Sequence, residues 1–284
     1  DPVLLATPSQ ELRHGWTLPR LLRRLEAALV HTQYAIPLRP PCPAVVTIHD
    51  LSFERDPSLM SWKDRLVFRR VVPRAARAAA RILTVSERSR RDLLDLYGVP
   101  DTLVVVTPNG VDPVFRPGPA PAGEPYLLAV GAVQPRKHQL AAAAAARELG
   151  LPLLVVGPVK DEGTAGALRS AGARLEGYVP IERLADLYRG AACLVQTSRY
   201  EGFGLPVLEA MTCGTPVVTV PDPALLEVVG EAAVVVSEGD LAEGVRIALR
   251  DRQRLVAAGL ERAQAFSWEA AAEATVRVYA EAIG

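Results

Sequence analysis

What most constrains this chain is a series of short, uninterrupted apolar segments separated by longer stretches with helical periodicity. Residues 44–48, 82–85, 104–106, 126–130, 153–156, 193–196, 216–220 and 233–236 have strand length, and most are apolar throughout. A strand with one face in water alternates polar and apolar residues. A strand covered on both faces does not, and that is the habit of parallel sheets. Helical patterns at 62–80, 87–97, 138–149, 181–190 and 241–250 fill the intervals. Strand–helix alternation of this kind predicts an α/β doubly wound architecture, whose ligands bind at the carboxyl ends of the strands.

The 284 residues suffice for two domains. After Pro113 come Pro117, Pro119, Pro121 and Pro125, separated by small residues. Such a segment forms neither a helix nor a central strand, so it reads as an extended connection. The expected division is 1–120, 121–265 and a terminal helix over 266–284 that either covers the second sheet or crosses back to the first domain. Residues 1–120 carry 17 basic and 12 acidic side chains; the remainder carries 15 and 20. A net +5 on the first half suits an anionic partner, while 5% aromatic residues give no stacking platform for nucleic acid. The three cysteines, Cys42, Cys193 and Cys213, are widely separated, which suggests buried free thiols in a reducing cytoplasm. No run of roughly 20 apolar residues is present, and Asp1-Pro2 leads directly into an expected strand at 3–6 with no leader segment.

The segment from Ser198 to Val218 carries the chemistry. After the strand at 193–196, Gly202 and Gly204 would let backbone approach a ligand closely, and Pro206 would fit the first position of a helix. Backbone N–H groups around Gly204 and Leu205, aided by the helix dipole, would face an anion such as a diphosphate. Glu201 lies before that helix and Glu209 in about its first turn. Carboxylates beside an anion site are costly unless hydroxyl groups donate to them, as sugar and ribose hydroxyls can. After the strand at 126–130, adjacent Arg136 and Lys137 form either a phosphate clamp or an ordinary solvated pair. His49 ends the strand at 44–48, and the segment Glu176-Gly177-Tyr178-Val179-Pro180 reads as a loop leading into a helix.

Glu201 and Glu209 with seven residues between them, set in Glu201-Gly202-Phe203-Gly204-Leu205-Pro206 and followed by Cys213-Gly214-Thr215-Pro216, resemble the Glu-x7-Glu motif of the retaining family 4 glycosyltransferases. His49-Asp50-Leu51-Ser52-Phe53 and Thr107-Pro108-Asn109-Gly110-Val111-Asp112 fit the same family. The resemblance runs from about Ala44 onward. It implies the GT-B fold: two Rossmann-like domains facing a cleft, the first on the acceptor side and the second binding a nucleotide sugar. It also implies that Glu201 and the Gly202-Phe203-Gly204-Leu205 backbone meet the donor sugar, that Glu209 holds the ribose, and that Arg136 and Lys137 hold the diphosphate. Tyr178 and Val179 would receive the base by their backbone, and His49 would face the transferred sugar. His49 and Glu201 are thus the expected catalytic residues, Glu201 orienting the sugar rather than attacking it.

Two departures from the family pattern stand out. Ala132 replaces the Arg that many relatives carry directly after Gly131, so Arg136 is expected to take over its role. Residues 3–9 lack the glycine loop that normally opens the first domain, which makes that domain look incomplete. No Asp-x-Asp motif occurs, so neither a metal nor a cofactor is expected. The implied activity is transfer of a hexose, mannose from GDP-mannose as first choice, to a glycan, lipid-linked or small-molecule acceptor. The alternatives are a GT-B nucleotide-sugar epimerase or phosphorylase and a catalytically impaired binding scaffold. A dinucleotide-binding reading fails because Val207 stands where a third glycine is needed. Arg70, Arg74, Arg77 and Arg81 recur at helical spacing, followed by Arg88, Arg90 and Arg91. They are either a solvated face or a patch for peripheral contact with an anionic inner membrane face.

Overall fold

The structure, a computed structural model, describes residues 12–56 and 62–284. The expected strand at 3–6 and the segment after it lie outside the described residues. The chain divides into two compact units, one ending at Pro108 and taking back Glu269–Gly284, the other running Asn109–Trp268. The proline-spaced segment 113–125 contains neither helix nor strand and lies within the second unit.

In the first unit, β1 (Val30–Gln33), β2 (Ala44–Thr47), β3 (Arg81–Thr84) and β4 (Val104–Val106) form a parallel sheet in that order. Successive residues of a strand face opposite sides. Val45 and Val46 are both fully buried, so β2 is covered on both faces, as its unbroken apolar sequence requires. On one face, Val46, Ile82 and Val104 pack with Leu22 of α1 (Leu18–Arg24) and Phe53 of α2 (Ser52–Arg55). Val72 and Ala76 of α3 (Trp62–Ala78) and Leu93 of α4 (Glu87–Tyr97) complete that layer. On the other, Val45 and Leu83 meet Val278, Tyr279 and Ala282 of the C-terminal helix Trp268–Ile283. The α4 helix starts where Ser86 Oγ accepts from Ser89 N–H and stops where Gly98 turns left-handed. β1 escapes sequence reading because Val30-His31-Thr32-Gln33 is mostly polar; among the described residues it lies at the sheet edge.

The four regularly spaced arginines do not share one helix face. Arg81 is not helical; it opens β3, with its guanidinium on Glu281 and the Ala80 carbonyl. On α4, Arg88 pairs with Asp92, and Arg90 pairs with Glu87 and Asp101. Arg70, Arg74 and Arg77 remain exposed on α3, beside exposed Leu66 and Val67.

In the second unit the parallel order is β10 (Val234–Val235), β9 (Val217–Thr219), β8 (Cys193–Gln196), β5 (Leu127–Val130), β6 (Leu153–Val156), β7 (Arg174–Gly177). Between them run α5 (Gln139–Leu149), α6 (Glu162–Ser170), α7 (Ile181–Gly190), α8 (Leu205–Thr212), α9 (Pro223–Val229), α10 (Leu241–Arg250) and α11 (Arg252–Ala263). The main core joins Leu127, Val155, Val195 and Val218 of the sheet to Ala142 and Ala146 of α5 and Val245 of α10. Residues 174–177 form an edge strand rather than a loop, hidden from sequence reading by alternate exposure. Cys193 and Cys213 are free and buried, and burial pushes their thiols up to about 12 and about 11; Cys42 is free and only half-buried. Among the described residues no helix is long and apolar enough to cross a membrane.

Candidate functional site

The second sheet reverses direction at β5: the chain proceeds outward through β6 and β7, then returns to place β8 on the other side of β5. Such a switch point opens a crevice at the carboxyl ends of the two central strands. The loops that leave those ends are 131–138 after β5 and 197–204 after β8. They are laced together by backbone: Thr197 Oγ1 donates to the Lys137 carbonyl at 2.8 Å, Arg199 N–H to the Arg136 carbonyl at 3.2 Å, and Arg136 Nη1 to the Tyr200 carbonyl at 2.5 Å.

The lacing brings the two separately recognised motifs onto one carboxylate. Lys137 Nζ reaches Glu201 Oε1 at 2.5 Å, and Arg136 Nη1 lies 3.4 Å from Oε2. Gln196, the last residue of β8, donates to the same Oε1 at 2.8 Å and to Ser198 Oγ at 3.0 Å. Burial alone would push the Glu201 carboxyl up. Lys137 and then Arg136 outweigh it and hold the group below the ordinary carboxylate value. Glu201 is therefore ionised, and two cations against one carboxylate leave an excess positive charge in the crevice. Gly131 turns at φ +140°, a backbone conformation that residues with a side chain rarely adopt, and Lys137 Cε packs against it at ordinary contact distance.

Gly204 sits immediately before α8 at φ +117°, and a Cβ there would lie 2.7 Å from Leu225 Cδ2. The backbone conformation disfavours any residue with a side chain, and a Cβ would also displace the end of Leu225. Leu205 and Pro206 are the first two helical residues, so Pro206 occupies the second position rather than the expected first. Val207 and Leu208 donate their N–H groups to the Gly204 carbonyl at 3.1 and 3.3 Å and Pro206 has none, so within this turn the Leu205 N–H is the group left without an intrahelical acceptor. Phe203 is buried edge-on against Phe266 at 5.7 Å. Gly202 is half-buried.

Glu209 is the fifth residue of α8 and so lies in its second turn rather than its first. The fully buried Tyr188 of α7 donates its hydroxyl to Glu209 Oε2 at 2.7 Å. Burial raises the Glu209 carboxyl; the Tyr188 hydrogen bond opposes that rise, and the charge of Asp112 adds to it. Tyr178 and Val179 follow the end of β7, two strands beyond β5. Tyr178 is 85% exposed, and Gly177 turns there at φ +68°. They stand apart from the Glu201 cluster.

His49 belongs to the first unit, just beyond the end of β2. Its ring lies 5.8 Å from Tyr34, and its carbonyl accepts from Ser89 Oγ. Burial lowers its pKa against the opposing pull of Asp50, which favours the neutral imidazole. A second histidine, His31 of β1, bridges Tyr279 Oη at 2.5 Å and Thr47 Oγ1 at 2.7 Å. Sequence reading missed Gln196 and Tyr188. A polar residue ending an apolar strand was the available sign of the first. Nothing in a helical pattern distinguishes Tyr188 from any core aromatic.

A glycosyltransferase structure from Rickettsia africae ESF-5 is similar at TM-score 0.75 and 14% identity, covering 100% of this chain and 84% of that one. The Anabaena protein Alr3699/HepE, solved in complex with UDP-glucose, is similar at TM-score 0.72 and 17% identity, over 91% and 79% of the two chains. The fold is that of the GT-B glycosyltransferases. Residues 112–266 match "Glycosyl transferases group 1", and residues 2–115 match "Glycosyltransferase Family 4". O-antigen chain mannosyltransferase B of Escherichia coli is 33% identical over 270 residues, 83% of this chain and 70% of that protein. D-inositol 3-phosphate glycosyltransferase of Kineococcus radiotolerans is 34% identical over 254 residues, 72% and 58% of the two. The chain belongs to the group 1 glycosyl transferases, an enzyme family. It spans only part of these relatives, 70% of the first and 58% of the second.

Proposed function

We propose that this chain transfers a hexose, mannose from GDP-mannose as the first choice, to a glycan, lipid-linked or small-molecule acceptor, with retention of anomeric configuration and without a metal ion. The observation that carries the reading is the Arg136–Lys137–Glu201 cluster at the switch point, beside the Gly204 turn. Its excess positive charge and the N-terminal turn of α8 suit a diphosphate. Charge that develops on the leaving phosphate would be met there by preorganised donors. The choice of mannose rests on the name of the Escherichia coli relative, a mannosyltransferase.

In this reading Lys137 and Arg136 exchange part of their pairing with Glu201 for the diphosphate, and Glu201 turns its oxygens to hydroxyls of the donor sugar. Glu209 accepts from the ribose, the backbone at Tyr178 and Val179 receives the base, and His49 contributes a neutral imidazole from the first unit. The leaving phosphate serves as base for attack on the same face of the sugar. Peripheral contact with an anionic inner membrane face through α3 belongs to the same proposal.

Calorimetric titration with GDP-mannose, UDP-glucose, ADP-glucose and dTDP-glucose, each with and without EDTA, tests the donor. Tightest binding of GDP-mannose, unchanged by EDTA, is the expected result; preference for another base overturns the choice of donor, and dependence on metal overturns the metal-free mechanism. Nuclear magnetic resonance of the transfer product reads the anomeric configuration. Epimerised nucleotide sugar formed from donor alone would favour an epimerase, and binding without any turnover would favour a scaffold.

A further inference from the structure

Tyr188 is completely buried on α7 and presents its hydroxyl 2.7 Å from Glu209 Oε2 on α8. Three contacts fix the ring and its backbone. Phe115 packs edge-on at 5.8 Å, Thr215 Oγ1 donates to the Tyr188 carbonyl at 2.6 Å, and Ala191 N–H donates to the same carbonyl at 3.1 Å. A buried phenol must place its proton on an acceptor, and among the described residues Glu209 is that acceptor. Burial and the neighbouring Glu209 charge keep the phenol from ionising, so the hydroxyl donates throughout the ordinary pH range. Glu209 itself is only half-buried, and the hydrogen bond from Tyr188 engages one of its two carboxylate oxygens.

We propose that Tyr188 is a positioning residue for nucleotide recognition: its hydroxyl holds Oε2 of Glu209 so that the other carboxylate oxygen is turned outward to accept from the ribose hydroxyls. A free glutamate side chain spreads its carboxylate over several rotamers, and fixing one oxygen removes that freedom before the ligand arrives. The inference rests on the reading of Glu209 as the ribose acceptor.

The experiment titrates the full chain with GDP and UDP, and with their 2′,3′-dideoxy analogues, which keep base and diphosphate but lack the ribose hydroxyls. The parent is expected to bind the better ribonucleotide about 10-fold more tightly than its dideoxy form, the scale of a charged hydrogen bond. Glu209→Ala should reduce that preference to about 1. Tyr188→Phe, which removes one oxygen and leaves the ring against Phe115, should narrow it to about 2–3-fold while the dideoxy form binds as it does to the parent. A Tyr188→Phe variant that keeps the parental preference, or weakens both forms equally, overturns the positioning role and leaves Tyr188 as packing. A parent with no ribose preference overturns the reading of Glu209 itself. That outcome is distinct from a preference that depends on Glu209 but not on Tyr188.

Discussion

Glu201 and Glu209 are eight residues apart and respond to folding with opposite signs. Glu201 is held below its ordinary value of 4.5, so its ionised form stabilises the fold above that pH, and the contribution is lost as pH falls through the folded value. Glu209 is held above 4.5, so ionising it at neutral pH costs stability, and the cost disappears as the pH falls from its raised value through 4.5. Thermal unfolding should therefore show Glu201→Gln less stable than the parent at pH 7, the difference shrinking below pH 4.5, and Glu209→Gln more stable, that difference shrinking as the pH falls toward 4.5. The two cations around Glu201 are not equivalent. Lys137 is the closer at 2.5 Å and Arg136 the more distant at 3.4 Å. Lys137→Ala should cost roughly 3–5 kcal/mol, because it leaves a buried carboxylate short of its main partner. It should also weaken GDP or UDP binding more than Arg136→Ala does. Equal binding by parent and both variants would reduce the pair to a structural salt bridge.

At the scale of elements, α8 is positioned by the residue before it. Gly204→Ala introduces a strained φ and a contact with Leu225, costing roughly 1–3 kcal/mol from the backbone alone. Loss of nucleotide binding should exceed loss of stability, since the turn that strains is the one facing the ligand. Comparison of denaturant midpoints with calorimetric affinities checks this. The exposed face of α3 supports a separate expectation. Arg70, Arg74 and Arg77, with Leu66 and Val67 beside them, should give binding to anionic liposomes at low salt. Each basic side chain near an anionic surface contributes about 1 kcal/mol, screened within a Debye length. Sedimentation should fall near about 0.5 M salt and in the triple variant with glutamate at these positions. Equal sedimentation with neutral liposomes would leave the face as a solubility feature.

At the scale of the whole molecule, the chain leaves its first unit at Pro108 and returns to it at Glu269. The returning helix completes a core, because Val278 is 2% exposed against Val45 and Leu83. Val278→Ala should destabilise the first unit by roughly 1–3 kcal/mol. Amide exchange should then rise in β2 and β3 while β5 and β8 keep their protection. Exchange rising equally in both sheets would mean that the two units unfold as one.

The interior strands were legible in the sequence because a strand buried on both faces must be apolar at every position. Residues 153–156 and 193–196 were read with their observed bounds for that reason. The strands that escaped are those of mixed polarity, 30–33 and 174–177, whose pattern resembles a loop, whereas the apolar edge segments 104–106 and 233–236 were legible. The glycine–proline turn before α8 was legible because Gly204 needs a backbone conformation that few residues adopt, although the proline was placed one residue early. The arginine spacing misled, since periodicity carries no sign of where α3 ends and β3 begins. What the sequence by itself determined is the βα repeat and the chemical types at the site: two carboxylates, two cations and a glycine turn, each a matter of local geometry. Only the tertiary structure decided which of them meet. Glu201 finds Lys137, Arg136 and Gln196 because the strand order reverses at β5, and Glu209 finds Tyr188 because α7 packs on α8. Those pairings span up to 65 residues of chain, a separation that folding closes and that no local pattern records.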